Sequence, residues 1–275
     1  MNHKKHIPHV IGVASGKGGV GKTTVATHLA SAMVHAGQRV LVLDADMGLA
    51  NAQIAFGMRA KYNIQHVLHG EKSLSEILLQ TPQGVWLAPG ASGSRDMASL
   101  DATATARLID AFDDVADQFD VLIVDIAAGI SSAVTTFLNA CQRRIIVVRD
   151  EPASIADAYG LIKVMVNEFG LDEIYLLPNM VKSQAHGWQL YKRFNDICVR
   201  FLNQSVSYLT SIETDEEVSS ERAKYQRVVT QAQLSGTPRD FVRLADAVGK
   251  LPPVATVTGS TQFFVHRLVQ AQLSP

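Results

Sequence analysis

The stretch Ser15-Gly16-Lys17-Gly18-Gly19-Val20-Gly21-Lys22-Thr23-Thr24 fits the phosphate-binding pattern G-x-x-x-x-G-K-[ST], with Gly16, Gly21, Lys22 and Thr23 at the fixed positions. The glycines let backbone N–H groups turn inward around phosphate oxygens. Lys22 can reach β- and γ-phosphates, the Thr23 hydroxyl can hold Mg²⁺, and the helix opening at Gly21 adds its positive dipole end. A Gly-rich turn that binds nothing would share the spacing but not the surroundings. An apolar run, Val10 to Ala14, precedes the loop, and a helical pattern, Thr24 to His35, follows it.

Three acids end other short apolar runs. Arg39 to Leu43 leads into Asp44-Ala45-Asp46, and Asp120 to Val124 leads into Asp125, a Walker B pattern. In an open parallel sheet, ligands sit beyond the carboxyl ends of the strands. These acids therefore share an edge with the phosphate loop. Asp125 is placed to hold Mg²⁺ through water and to sense the γ-phosphate. Asp44 also suits a helix N-cap, a role compatible with the first.

Lys17 is a second lysine inside the loop. Gly16 to Thr23 thereby resembles the deviant Walker A loop of the MinD/ParA ATPases. The resemblance implies that Lys17 contacts phosphate across a nucleotide-sandwich homodimer; the alternative is a solvated surface lysine. Asp44 to Asn51 looks like switch I of the MinD branch, which implies that Asp46 orients the attacking water and Asp44 supports the Mg²⁺ shell. Asp125 to Ser131 resembles switch II, with one departure. Ile126 and Ala127 stand where a small hydroxyl residue and then Gly or Pro are usual. This predicts a hydroxyl lost beside the γ-phosphate and slow hydrolysis. Glu151 to Tyr159 resembles the matching segment of the flagellar-number regulators, the FlhG/FleN group, with Arg149 and Asp150 in place of Thr and Pro. The family places an Asn on the adenine ring, and Asn179 can serve, its amide being donor and acceptor. A turn-capping role for Asn179 stays open.

Composition narrows the classes. The 275 residues are 47% hydrophobic and 19% charged, with a formal net charge of −1. No global basic field advertises nucleic-acid binding, and no specific nucleic-acid partner is expected. Cys141 and Cys198 are far apart, which argues against a disulfide framework or zinc site and fits a reducing cytosol. The chain has no apolar run of bilayer length, and the polar stretch Met1 to His9 has no signal-peptide core. His3, His6 and His9 read as a frayed end.

Strand, loop and helix alternate along the chain. This predicts one α/β domain over residues 1–250, doubly wound, with helices on both faces of a mostly parallel sheet. Two short helices broken at Gly70 are expected within Asn63 to Leu79, a strand over Val85 to Ala88, and one amphipathic helix from Leu100 to Phe119. A strand over Arg144 to Val148, a helix from Pro152 to Phe169 and a strand over Glu173 to Leu177 follow. Leu190, Phe194, Ile197 and Phe201 are expected in the core. Val206 to Ile212 reads as a final strand, Glu213 to Val218 as an acidic helix start, and Pro238 to Lys250 as a helix. Residues 251–275 read as a linker and an amphipathic C-terminal segment. In Gln262 to Leu273, Phe264, Val265, Leu268 and Val269 share a face, with Thr261 as its N-cap. Only His266 and Arg267 are basic there, so docking on the body, on a partner or on lipid remains open.

The resemblance implies an Mg²⁺-dependent ATPase that dimerises with ATP, with Lys17, Lys22 and Asp46 in catalysis. It further implies control of flagellar number through a flagellar transcription activator, a partner GTPase or basal-body proteins. Such a protein would be cytoplasmic, with peripheral contacts at the inner membrane or pole. Met1 to His9 carries no Gln- and Arg-containing helix of the kind that stimulates the GTPase. Rivals are a partitioning ATPase, a division-site regulator, an iron–sulfur carrier and a nucleotide-binding scaffold with very slow turnover.

Overall fold

The computed structural model describes residues 7–48, 50–93, 100–214, 236–252 and 262–265. Its first half runs β1 (His9–Ser15), α1 (Lys22–His35), β2 (Val40–Ala45), α2 (Ala52–Ala55), α3 (Ile64–Leu68), α4 (Leu74–Ile77), β3 (Leu79–Gln80), β4 (Trp86–Ala88) and α5 (Ala102–Ala111). The second half runs β5 (Val121–Ala128), α6 (Ser132–Ala140), β6 (Arg143–Val148), α7 (Pro152–Phe169), β7 (Ile174–Val181), α8 (Gln184–Leu202), β8 (Ser207–Tyr208), β9 (Ile212–Glu213) and α9 (Thr237–Gly249).

Among the described residues the strands lie in the order β3-β4-β2-β5-β1-β6-β7-β8, with β9 also pairing with β7. All pairings are parallel except that of β3 with β4. The central strands are buried on both faces, which is why they read as continuous apolar runs. Alternate side chains then build two cores. Val10, Leu41, Leu43, Leu122 and Val124 pack with residues of α5 to α8 on one face. Ile11, Val13, Val42, Ile123 and Val147 pack with α1 and α9 on the other. This is the doubly wound α/β arrangement expected.

Local signals set the helix ends. Pro152 occupies the first turn of α7, and Gly170 closes it at φ 64°. The Ser183 hydroxyl accepts a hydrogen bond from the His186 N–H at the start of α8. The break at Gly70 separates α3 from α4, as the sequence predicts.

Four expectations need correction. The helix expected to reach Phe119 stays α-helical only to Ala111 and tightens into a 3-10 helix over Phe112–Gln118. The strand expected over Val206 to Ile212 is two short pieces. Ser211 between them is drawn against Gly187 of α8, where a Cβ on the glycine would collide with it. Phe201 is not core but 63% exposed. The buried stripe of α8 advances in steps of four through Leu190, Phe194 and Cys198, leaving Phe201 beside it. Strands β5 and β7 also run past their expected ends, so Asp125 and Asn179 sit within them. The acidic helix start at 215–218, the linker at 256–261 and residues 266–273 lie outside the described residues. Phe263 and Phe264, each 1% exposed, sit in the α5–α8 core, with the Phe263 ring edge-on to Phe112 at 5.3 Å.

Candidate nucleotide site

The site begins where β1 ends. Gly18 and Gly19 form an exposed loop tip between the partly buried Gly16 and Gly21. Gly16 leaves no room for a side chain, since a Cβ would collide with the backbone of Asp157 and Ala158 in α7. Gly21 sits at φ 95°, a left-handed conformation that glycine adopts without strain. It passes the chain into α1, so Lys22, Thr23 and Thr24 form the first turn. The Ser15 hydroxyl donates to the Lys17 carbonyl at 2.6 Å and braces the loop from below. Val20 is buried in the α1-side core, and its carbonyl accepts a 2.7 Å hydrogen bond from Asn179 Nδ2.

Period-2 alternation decides which side chains meet. Asp44 and Asp125 are register partners on β2 and β5. Their neighbours Leu43, Val124 and Ile126 point to the α5–α8 core, so both acids point to the α1 face, where Lys22 and Thr23 begin the helix. Asp44 accepts hydrogen bonds from the Ala52 N–H at 2.8 Å and the Asp46 N–H at 3.3 Å, which orders the turn after β2. Both Asp125 carboxylate oxygens are buried and accept no full hydrogen bond from the described residues, with the Thr23 hydroxyl and Lys22 ammonium beside them.

The electrostatics follow from this crowding. Burial draws the Lys22 ammonium pKa down, while Asp125 and Asp46 oppose the fall. Burial, and then the charge of Asp125, pushes the Asp44 carboxyl up to about 8. Burial also pushes Asp125 up to about 6, against the Thr23 hydroxyl and Lys22. Two buried acids on one face, one of them with both oxygens short of a full hydrogen bond, form a site that a divalent cation would complete. Among the described residues no group of three or more His, Cys, Asp or Glu side chains is arranged to hold a metal alone. Mg²⁺ keeps several waters and is held by one or two carboxylates together with substrate phosphates. Thr23, Asp44 and Asp125 could supply that set.

Lys17 lies apart from this cluster. Its Nζ is 3.5 Å from Glu151 Oε2, at the head of α7, and its side chain is 40% exposed. The sequence reading missed Glu151 as a partner. The signal was available, because Glu151 follows β6 and so falls on the same sheet edge as the loop. Ile126 is the reverse case. It is fully buried in the core opposite Asp125, away from the phosphate side, so its missing hydroxyl is not missing from the site. Cys141 and Cys198 are both buried, which raises each thiol pKa to about 12 and offers nothing for an exposed cluster.

Comparison with known proteins agrees with this layout. The AAA domain family matches residues 8–169. The chain is 40% identical over 265 residues to the antiactivator FleN of Pseudomonas aeruginosa, covering 96% of this chain and 95% of the relative. It is 37% identical over 207 residues to the flagellum site-determining protein YlxH of Helicobacter pylori, covering 74% of this chain and 69% of the relative. The septum site-determining protein MinD of Pyrococcus horikoshii, solved with Mg-ADP, shares the fold at a TM-score of 0.75 and 23% identity, over 91% of this chain and 99% of that one. The chain belongs to the MinD/ParA-type ATPases, in the group of FleN and YlxH.

Proposed function

We propose that this ATPase is an ATP-driven dimerisation switch that limits flagellar number or sets flagellar position through partner proteins. The observation that carries the reading is the division of labour between two lysines of one loop. Lys22 is buried beside Asp46 and Asp125. Lys17 instead faces outward on Glu151, where a second copy can receive it.

In this reading Gly16 to Thr24 wrap the phosphates of ATP with backbone N–H groups, and Lys22 neutralises the β- and γ-oxygens. Asp46 accepts a hydrogen bond from the attacking water and aims it at the γ-phosphorus. Lys17 of each protomer leaves Glu151 and reaches the nucleotide of the other, stabilising charge as it moves to the leaving oxygen. Mg²⁺ held at Thr23, Asp44 and Asp125 would supply further charge neutralisation. Asn179 would face the adenine. Loss of the γ-phosphate removes what holds Lys17 across the interface, and the dimer opens.

The partners proposed are a flagellar transcription activator, a flagellar GTPase or basal-body proteins. The name antiactivator for the P. aeruginosa relative favours the first. Residues 262–273 would add a peripheral membrane contact, with Phe263 and Phe264 seated on the body in the form described here. Light scattering with ADP and with a non-hydrolysable ATP analogue tests the switch. The wild type should double its mass only with the analogue. Lys22→Ala should bind no nucleotide, and Lys17→Ala should bind it but stay monomeric. A Lys17→Ala chain that dimerises normally would refute the sandwich.

A further inference from the structure

Glu151 is not the partner of Lys17 alone. Its Oε2 lies 3.5 Å from Lys17 Nζ, and its Oε1 lies 3.1 Å from Arg149 Nη2. One carboxylate therefore sits between two cations, one on each oxygen, and all three side chains are about two-fifths exposed. Arg149 is also one of the two residues that stand in place of the Thr and Pro expected just before Glu151.

The segment that carries both side chains is held firmly. The Arg149 N–H donates to the buried Ser154 hydroxyl at 3.0 Å. Asp150, between Arg149 and Glu151, is gripped by two residues of α8, accepting from His186 Nε2 at 2.7 Å and Arg193 Nη2 at 2.9 Å. The backbone from 149 to 151 is thus pinned to two helices, and the charges above it can change partners without the chain moving.

We infer that Arg149 is a counter-ion exchanger for Lys17: it takes over Glu151 when Lys17 departs for the nucleotide of a second copy. The inference rests on the sandwich reading given above. Without Arg149, the departure of Lys17 leaves Glu151 unpaired at the face where another molecule's triphosphate arrives. That carboxylate would both repel the phosphates and hold Lys17 back. A guanidinium is built to accept it, since its planar fork can meet both carboxylate oxygens at once. Arg149 is accordingly a positioning residue, acting through Glu151 and not on phosphate.

The test is a double-mutant cycle read by sedimentation velocity of the full chain, titrated with Mg²⁺ and a non-hydrolysable ATP analogue. Arg149→Thr should raise the analogue concentration for half-maximal dimerisation roughly fivefold, the scale of a partly exposed ion pair. Glu151→Gln should lower it. The double variant should match Glu151→Gln alone, because Arg149 has no task once the carboxylate is gone. Arg149→Lys should restore part of the wild-type midpoint, since an ammonium keeps the charge but not the fork. Binding of a fluorescent ADP to the monomer should be the same in every variant. An equal penalty for losing Arg149 with or without Glu151 would overturn the exchanger, showing a direct contact instead. So would an unchanged midpoint in Arg149→Thr. Failure of the wild type to dimerise at all would fall on the sandwich reading itself, a result distinguishable from either.

Discussion

Asp44 and Asp125 stand opposite each other on neighbouring parallel strands, both turned to the face of α1; burial raises both carboxyl pKa values, and the charge of Asp125 adds to the rise at Asp44. An acid whose folded pKa lies above its unfolded value stabilises fully below the unfolded pKa, and that stability is lost as pH rises through the folded pKa. For Asp44 the window runs from about 4 to about 8. Asp44→Asn should therefore raise the melting temperature of the nucleotide-free protein, relative to wild type, more at pH 8 than at pH 5. Melts across that range without Mg²⁺ check it, and a constant offset would contradict a raised folded pKa for Asp44.

His28 gives the opposite slope. It is fully buried in α1, stacked on Phe241 at a ring separation of 4.7 Å, and burial lowers its pKa to about 4. A base with a depressed folded pKa contributes stability above its unfolded pKa and loses it as pH falls through the folded value. The window is about 6.5 down to about 4. His28→Met should flatten the acid limb of stability in that interval, seen in urea midpoints taken at half-unit steps of pH.

Asp46→Ala should bind ATP with nearly wild-type affinity and accumulate as a dimer that hydrolyses little. Steady-state phosphate release together with mass measurement separates the two effects. Wild-type turnover in this variant would assign the water to another group.

Ile126→Thr should lower stability and leave turnover per folded molecule unchanged. The substitution places a hydroxyl in an apolar core, and an unsatisfied buried group costs about 1–3 kcal/mol. Ile126→Val, which only trims a methyl group, should cost about 0.5–1.5 kcal/mol. Faster hydrolysis in a fully stable Ile126→Thr protein would restore the idea that this side chain tunes the switch.

Phe112→Leu should loosen the seat of Phe263 without altering the C-terminal segment itself. If that segment contacts lipid after release, the variant should pellet with anionic liposomes in ADP as well as in ATP, whereas wild type should need ATP. Equal pelleting of both proteins in both nucleotides would count against a masked segment.

The phosphate loop and the sheet were legible because their signals are local. Gly16 to Thr23 has a fixed spacing, and the β2 and β5 runs name their own terminal acids. The partners of those residues were not legible. Glu151 reaches Lys17 only because β1 and β6 are neighbours, and a strand order is not written in any one segment. Ile126 was misplaced for a related reason. Adjacency to Asp125 in sequence was read as adjacency in space, although successive strand residues face opposite sides. Phe201 fitted the helical period, but the buried stripe of α8 drifts as it follows residues four apart.

The hydrogen bond from Asn179 Nδ2 to the Val20 carbonyl would have a consequence for which bases the proposed site accepts. The amide has spent a donor on the loop, and the bond fixes which end of the amide is oxygen. In the proposed nucleotide site Asn179 would then turn that oxygen, an acceptor, to an arriving purine. Adenine offers an amino hydrogen at its six-position, and guanine offers a second lone pair, which would be repelled. On that proposal discrimination against GTP would be tied to the shape of the phosphate loop, and a loop pulled away from Asn179 would free the amide to turn over and lose its preference.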